Sequence, residues 1–252
     1  MEGYLLVLAL AALPAAGNFL GGLASEALRV SGNGLGVALH AAAGVVLAVV
    51  GLELMPEALA SSTPWVPIVA FVGGGGFFLA LDKVIGYVQA RFAPDGQSGP
   101  WAIFSGVSLD LFSDGVMIGT GTVVNPALGL LLAAGQVPAD IPEGFAAVAT
   151  LRRAGVSRSR RLALAAAFAI PILIGATLGY FALRSAPELV TLSVLALTGG
   201  ALTAVVIEEM VPEAHTASRE NGEEDTEEPR LNALALVAGF ALFAAISAYL
   251  GE

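Results

Sequence analysis

The chain has 252 residues, of which 56% are apolar and 13% charged, where a soluble domain carries about a quarter charged residues. That balance excludes a soluble enzyme, and 31 glycines with no collagen-like period, beside four tyrosines and two tryptophans, exclude an outer-membrane barrel with its aromatic girdles. With no cysteine, a net charge of −10 and Lys83 as the single lysine, disulfides, thiolate metal sites and a nucleic-acid partner drop out as well.

What remains is an all-α polytopic membrane protein, read as one transmembrane domain over residues 1–252. Apolar runs of the length a helix needs to cross about 30 Å of hydrocarbon predict eight spans. The first covers 3–24; the start Met1-Glu2-Gly3 lacks a basic region and a cleavage site, so this run is expected to stay as a spanning helix. After Ser31-Gly32-Asn33-Gly34 comes 34–56, with His40 and Glu53, and then 65–90, with Gly73 to Gly76, Asp82 and Lys83. Beyond Ala93-Pro94-Asp95-Gly96 lies 101–122 with Asp110 and Asp114, and Asn125-Pro126 opens 126–151 with Asp140 and Glu143. The remaining spans are 161–183, 189–212 with Glu208 and Glu209, and 231–250. The stretch 216–230 between the last two holds Glu220, Glu223, Glu224, Asp225, Glu227 and Glu228 and reads as a mobile acidic cytoplasmic loop. Placing both termini outside puts nine of the ten arginines in cytoplasmic loops, with Arg184 as the exception.

Shifting the chain against itself by 156 positions exposes a repeat. Gly44, Ala48, Val49, Val50, Glu53, Pro56, Glu57 and Ala58 then meet Gly200, Ala204, Val205, Val206, Glu209, Pro212, Glu213 and Ala214. A shorter echo pairs Ser113-Asp114-Gly115 with Pro142-Glu143-Gly144. Both pairs join helices of opposite direction, so the expected layout is inverted, with helices 1–3 and 6–8 around a central pair, 4 and 5.

Asp110, Asp114, Asp140 and Glu143 carry the chemistry. Each ionised group at mid-membrane depth costs roughly 2.5–3.5 kcal/mol, so four together cost on the order of 10 kcal/mol unless a cation or water offsets it. Asp110 and Asp114 are four residues apart and Asp140 and Glu143 three, so each pair shares a helix face and the two faces can converge on a cation. Pro138 and Pro142 remove backbone donors beside the second pair. The bland alternative is that the acids are protonated or bond to Ser105, Ser108 and Ser113 as interhelical glue. Glu53 and Glu209, with Glu208 beside the latter, line a pathway or sit as helix-end acids. His40 reads as a packed histidine, and His215 as a solvated helix-end one.

The phrases Gly-Leu-Glu-Leu-Met-Pro-Glu-Ala at 51–58, Phe-Ser-Asp-Gly-Val-Met-Ile-Gly at 112–119, Asp-Ile-Pro-Glu-Gly at 140–144 and Glu-Met-Val-Pro-Glu-Ala-His at 209–215 resemble the ZIP family of divalent metal transporters over nearly the whole chain. The resemblance implies a metal site between the fourth and fifth helices, built in the family from histidine and acid pairs. Matched to that pattern, the fourth-helix acid is Asp114, Asp110 replaces the usual histidine, the fifth helix supplies Glu143, and Ala139 stands where another histidine is usual. The family's second site would match Leu111, Asp140 and a position near Ile170, which leaves one metal site rather than two. The implied activity is transport of a divalent cation (zinc, manganese, iron or similar) as substrate across the plasma membrane by a multi-pass protein in the lipid bilayer, with a homodimer as the family's habit. It is not an enzyme on this reading. The alternatives are a ZIP-like metal sensor or scaffold without transport and an intramembrane aspartate-dependent enzyme. The carboxylate-only set shifts preference toward harder ions than zinc.

Overall fold

The computed structural model describes residues 2–28, 31–92, 100–219 and 228–250, and among these every regular element is helical. Eight long helices follow in order: α1 Glu2–Ala27, α2 Gly32–Leu59, α3 Trp65–Phe92, α4 Pro100–Val124, α5 Pro126–Arg153, α6 Arg158–Leu183, α7 Glu188–Ala217 and α8 Glu228–Leu250. Ser31 caps α2 by accepting from the Gly34 amide, and Asn125 caps α5 through the Ala127 amide, with Pro126 at the position where its missing donor costs nothing. α5 runs without interruption through Pro138 and Pro142. Of the acidic stretch predicted over 216–230, residues 216–219 are helical at the end of α7 and 228–230 open α8, while 220–227, like the turn at 93–96, lie outside the described residues.

Among the described residues, six of the eight helices are long and apolar enough to cross a membrane. α3 is apolar over Trp65–Leu81, and the apolar run of α5 is interrupted by Gln136, Asp140 and Glu143. α5 tolerates these because it is central, packed by α1, α2 and α4. The outside of the bundle is the reverse: Val72, Phe77, Leu234, Val237 and Tyr249 are exposed on α3 and α8, an apolar belt of the kind a bilayer accommodates.

The inverted repeat governs the packing. α1 lies along α5 as α6 lies along α4; α3 pairs with α7 as α8 pairs with α2; α2 meets α5 as α7 meets α4. Glycines mark the first four of these crossings. A Cβ on Gly44 of α2 would land on the Leu236 carbonyl of α8, and one on Gly200 of α7 on the Phe71 carbonyl of α3. Gly21 of α1 sits in the same way on the Ile141 carbonyl, and Gly175 of α6 on that of Phe112. Of the glycine run on α3, Gly74 and Gly75 pack against α7, while Gly73 and Gly76 face open space.

The repeat extends to a defect in the helices. Val50–Leu54 and Val206–Met210, 156 positions apart, are both π turns, closed by Met55 N–H on the Val50 carbonyl and Val211 N–H on the Val206 carbonyl. Each stands just before a proline, Pro56 or Pro212, which has no donor for the α-helical bond and whose ring crowds the preceding turn. Widening that turn relieves the crowding.

At the arginine-bearing end, Glu26 of α1 takes a two-pronged bond from Arg161 of α6, at 2.6 Å and 2.9 Å. Arg152 of α5 donates to the Ser25 carbonyl at 3.0 Å, so three helices are tied together there. Both side chains of the Glu26–Arg161 pair are close to fully covered, whereas Arg158, 3.5 Å from Glu26, is 73% exposed. Arg161→Met should therefore lower the stability of the detergent-solubilised protein by about 1.5–3 kcal/mol, the worth of hydrogen bonds to a charged group. Arg158→Ala should change it by less than about 1 kcal/mol. Thermal denaturation of the two variants side by side checks the contrast.

Candidate functional site

α4 and α5 lie against each other at the centre of the bundle, and the carboxyl groups of Asp110, Asp114, Asp140 and Glu143 are near enough across this contact to act on one another. Asp114 is ten residues from the end of α4 at Val124, about 15 Å along the axis, so the acids sit at membrane depth. Asp110 is 8% exposed, Asp114 0% and Asp140 1%, with Glu143 partly covered. Asp110 meets Glu143 side chain to side chain across the helix pair, and the four carboxyl groups act on one another electrostatically. Two carboxyl groups meet in this way only with a positive charge, a proton or a cation, between them. Among the described residues, no lysine or arginine is among the groups acting on them.

The oxygens of this cluster are short of partners. Asp110 Oδ1, Asp114 Oδ2 and Asp140 Oδ2 are buried and accept no hydrogen bond. The bland alternative offered either protonation of the acids or donors from Ser105, Ser108 and Ser113. Ser113 instead donates to the Leu109 carbonyl of its own helix at 3.1 Å, and the Ser108 hydroxyl is itself buried without a partner. An unsatisfied buried acceptor costs about 1–3 kcal/mol and a charged one more, a cost that a bound proton or a cation would relieve. Among the described residues, no three histidine or acidic side chains close round a common point by themselves.

Gln136 is the residue that sequence reasoning missed. It is 1% exposed and donates its Nε2–H to Asp114 Oδ1, joining α5 to α4 inside the cluster. It stands four residues before Asp140 and seven before Glu143, on the same helix face. Helical spacing could have found it, but a neutral amide in an apolar run attracts no notice beside four charges. Glu213 of α7 is the second omission: it acts electrostatically on Glu143 and lies toward the arginine-bearing end, within reach of Arg153.

The remaining candidates stand apart. Glu53 accepts a hydrogen bond from the Ser247 hydroxyl of α8, Glu208 is exposed, and Glu209 is partly covered at the matching place on α7. His40 is buried, its Nδ1 2.8 Å from the Gly36 carbonyl, and its ring packs edge-on against that of His215 with centroids 4.9 Å apart. The position near Ile170 that would serve a second metal faces outward at 57% exposure. Leu111 belongs to an apolar cluster to which α6 contributes Phe168, Ile172 and Ala176.

The family model described as ZIP Zinc transporter matches residues 97–247, a region that contains α4, α5, α6 and α7 whole. Comparison with the curated proteins yields no match.

Proposed function

The chain belongs to the ZIP zinc transporter family, and we propose that it carries a divalent cation across the bilayer through the acids between α4 and α5. The observation that carries this reading is the set of buried, unpartnered oxygens on Asp110, Asp114 and Asp140, with Glu143 alongside and no described basic side chain acting on any of them. A hydrated cation enters from the side bearing both termini and exchanges part of its water shell for these carboxylates. It leaves past Glu213 toward the arginine-bearing, cytoplasmic side when one half of the inverted repeat moves against the other. Zinc, manganese and iron(II) are the candidate cargoes; oxygen donors accept all three. The paired π turns in α2 and α7 and the short contacts at the α1–α5 and α4–α6 crossings give the two halves matching surfaces for such a movement.

Purified protein in proteoliposomes loaded with a metal-sensitive dye tests it. Saturable, inward movement of at least one of these ions supports the reading, and absence of uptake of all of them overturns it. Thermal denaturation in detergent separates a carrier from a ZIP-like binding protein that has lost transport, the reading favoured by the absence of the family's histidines at Asp110 and Ala139. The transported ion should stabilise the fold by about 2.7 kcal/mol at a hundred times its Kd. Stabilisation without uptake would leave a sensor or scaffold.

A further inference from the structure

We propose that Gln136 is a specificity-determining residue of the cation site, giving it a neutral oxygen donor and tilting it toward six-coordinate, oxygen-preferring ions such as Mn2+ over Zn2+; this rests on the transport reading above. Its amide orientation is set by its surroundings. The Nε2–H points at Asp114 Oδ1, and turning the amide over would press Oε1 against that carboxylate, oxygen on oxygen. Oε1 is therefore held on the other side, where it is buried and accepts nothing. It joins Asp110 Oδ1, Asp114 Oδ2 and Asp140 Oδ2 as a fourth covered lone-pair oxygen with no donor. Unpaired buried acceptors of this kind are costly, and a multivalent cation drawn in between the two helices would relieve several of them at once.

Charge explains why an amide is useful there. A set made only of carboxylates overbalances a divalent ion and holds it too firmly to release. A neutral oxygen raises the number of ligands without adding charge. More oxygen ligands suit manganese and its kind, which take six, and do little for zinc, which is content with four and gains most from imidazole or thiolate. The hydrogen bond to Asp114 Oδ1 has a second effect, since it occupies one carboxylate oxygen and leaves the other to face the ion.

The experiment compares Gln136→Met, which keeps the length and removes both donor and oxygen, with Gln136→Glu, which keeps oxygens and adds charge. In proteoliposomes supplied with Mn2+ and Zn2+ together, the wild type should prefer Mn2+. Gln136→Met should lower the Mn2+ to Zn2+ uptake ratio at least tenfold, through KM for Mn2+. Gln136→Glu should bind Mn2+ at least fivefold more tightly and turn it over more slowly. Mn2+ binding to the detergent-purified proteins, followed by electron paramagnetic resonance, reads the same affinities without any transport, so a failure of the carrier reading leaves this assignment still tested. Equal Mn2+ affinity in wild type and Gln136→Met would overturn it. So would parallel loss of Mn2+ and Zn2+ in both variants, the pattern of a residue that only packs.

Discussion

Asp114→Asn and Glu143→Gln are each expected to cut divalent cation uptake into proteoliposomes by at least about 100-fold, beyond the 10–100-fold that follows loss of a group merely supporting a metal ligand. Each substitution keeps the shape of the side chain and removes its charge. In Asp114→Asn the introduced side chain still offers an oxygen to the Gln136 amide, so the α4–α5 link survives, while the attraction that strips water from the incoming ion is gone. Stability should move in the opposite direction. An ionised carboxylate at this depth costs roughly 2.5–3.5 kcal/mol, and no described basic partner offsets it here, so neutralising it should leave the apo protein as stable as before or more so. Transport lost with thermal stability kept is the signature of a functional charge. Stability lost with transport in proportion would mark the acids as structural and end the carrier reading. Glu53→Gln, whose carboxylate is engaged by Ser247 on α8, serves as the control and should change uptake far less.

What could be read ahead of the structure follows what residue identity records. The 156-position repeat was legible because α2 and α7 both need the same glycine, the same β-branched run before the π turn and the same Pro-Glu pair after it. The other halves of the symmetry left almost no trace. Gly74 meets the Leu197 carbonyl and Gly239 the Ala41 carbonyl, two equivalent crossings where only scattered neighbours match, Val72 with Val237 and Phe78 with Phe243 among them, because a backbone contact requires only the lack of a Cβ. The acids were legible for a different reason, that a charge within an apolar run is too expensive to be incidental. Gln136 and Glu213 escaped that argument: one is uncharged, and the other sits near a helix end where acids are common. The outward turn of Ile170 was beyond reach because Ala169–Leu183 of α6, apolar on both lipid and protein sides, gives periodicity nothing to register.

Gly144→Ala should be among the most damaging single-methyl additions in the bundle, and one that reaches the proposed site. By helix propensity alone the change is favourable by about 1 kcal/mol. Space decides the sign. A Cβ at Gly144 would lie on the Asn18 carbonyl oxygen, with the Asn18 Cα only 2.9 Å away, and neither belongs to a side chain that can swing aside. α1 must therefore draw back from α5, losing the packing around Gly17 and Gly21 as well, with a net cost of about 1–3 kcal/mol or more. Because Glu143 is the adjacent residue, the same displacement moves a proposed metal ligand, and an error of about 1 Å in a reacting constellation is worth roughly 100-fold. Uptake and thermal midpoint should thus fall together, unlike the pattern expected for Asp114→Asn. Gly115→Ala on α4, pressed against the Ile172 carbonyl of α6, should reproduce the defect through the symmetry-related crossing, while Gly76→Ala on α3, with nothing near its Cβ position, should leave both quantities unchanged or slightly raised. If Gly144→Ala transported normally, the close α1–α5 approach would not be what holds Glu143 in place, and the rigid crossing would have to be sought between α4 and α5 alone.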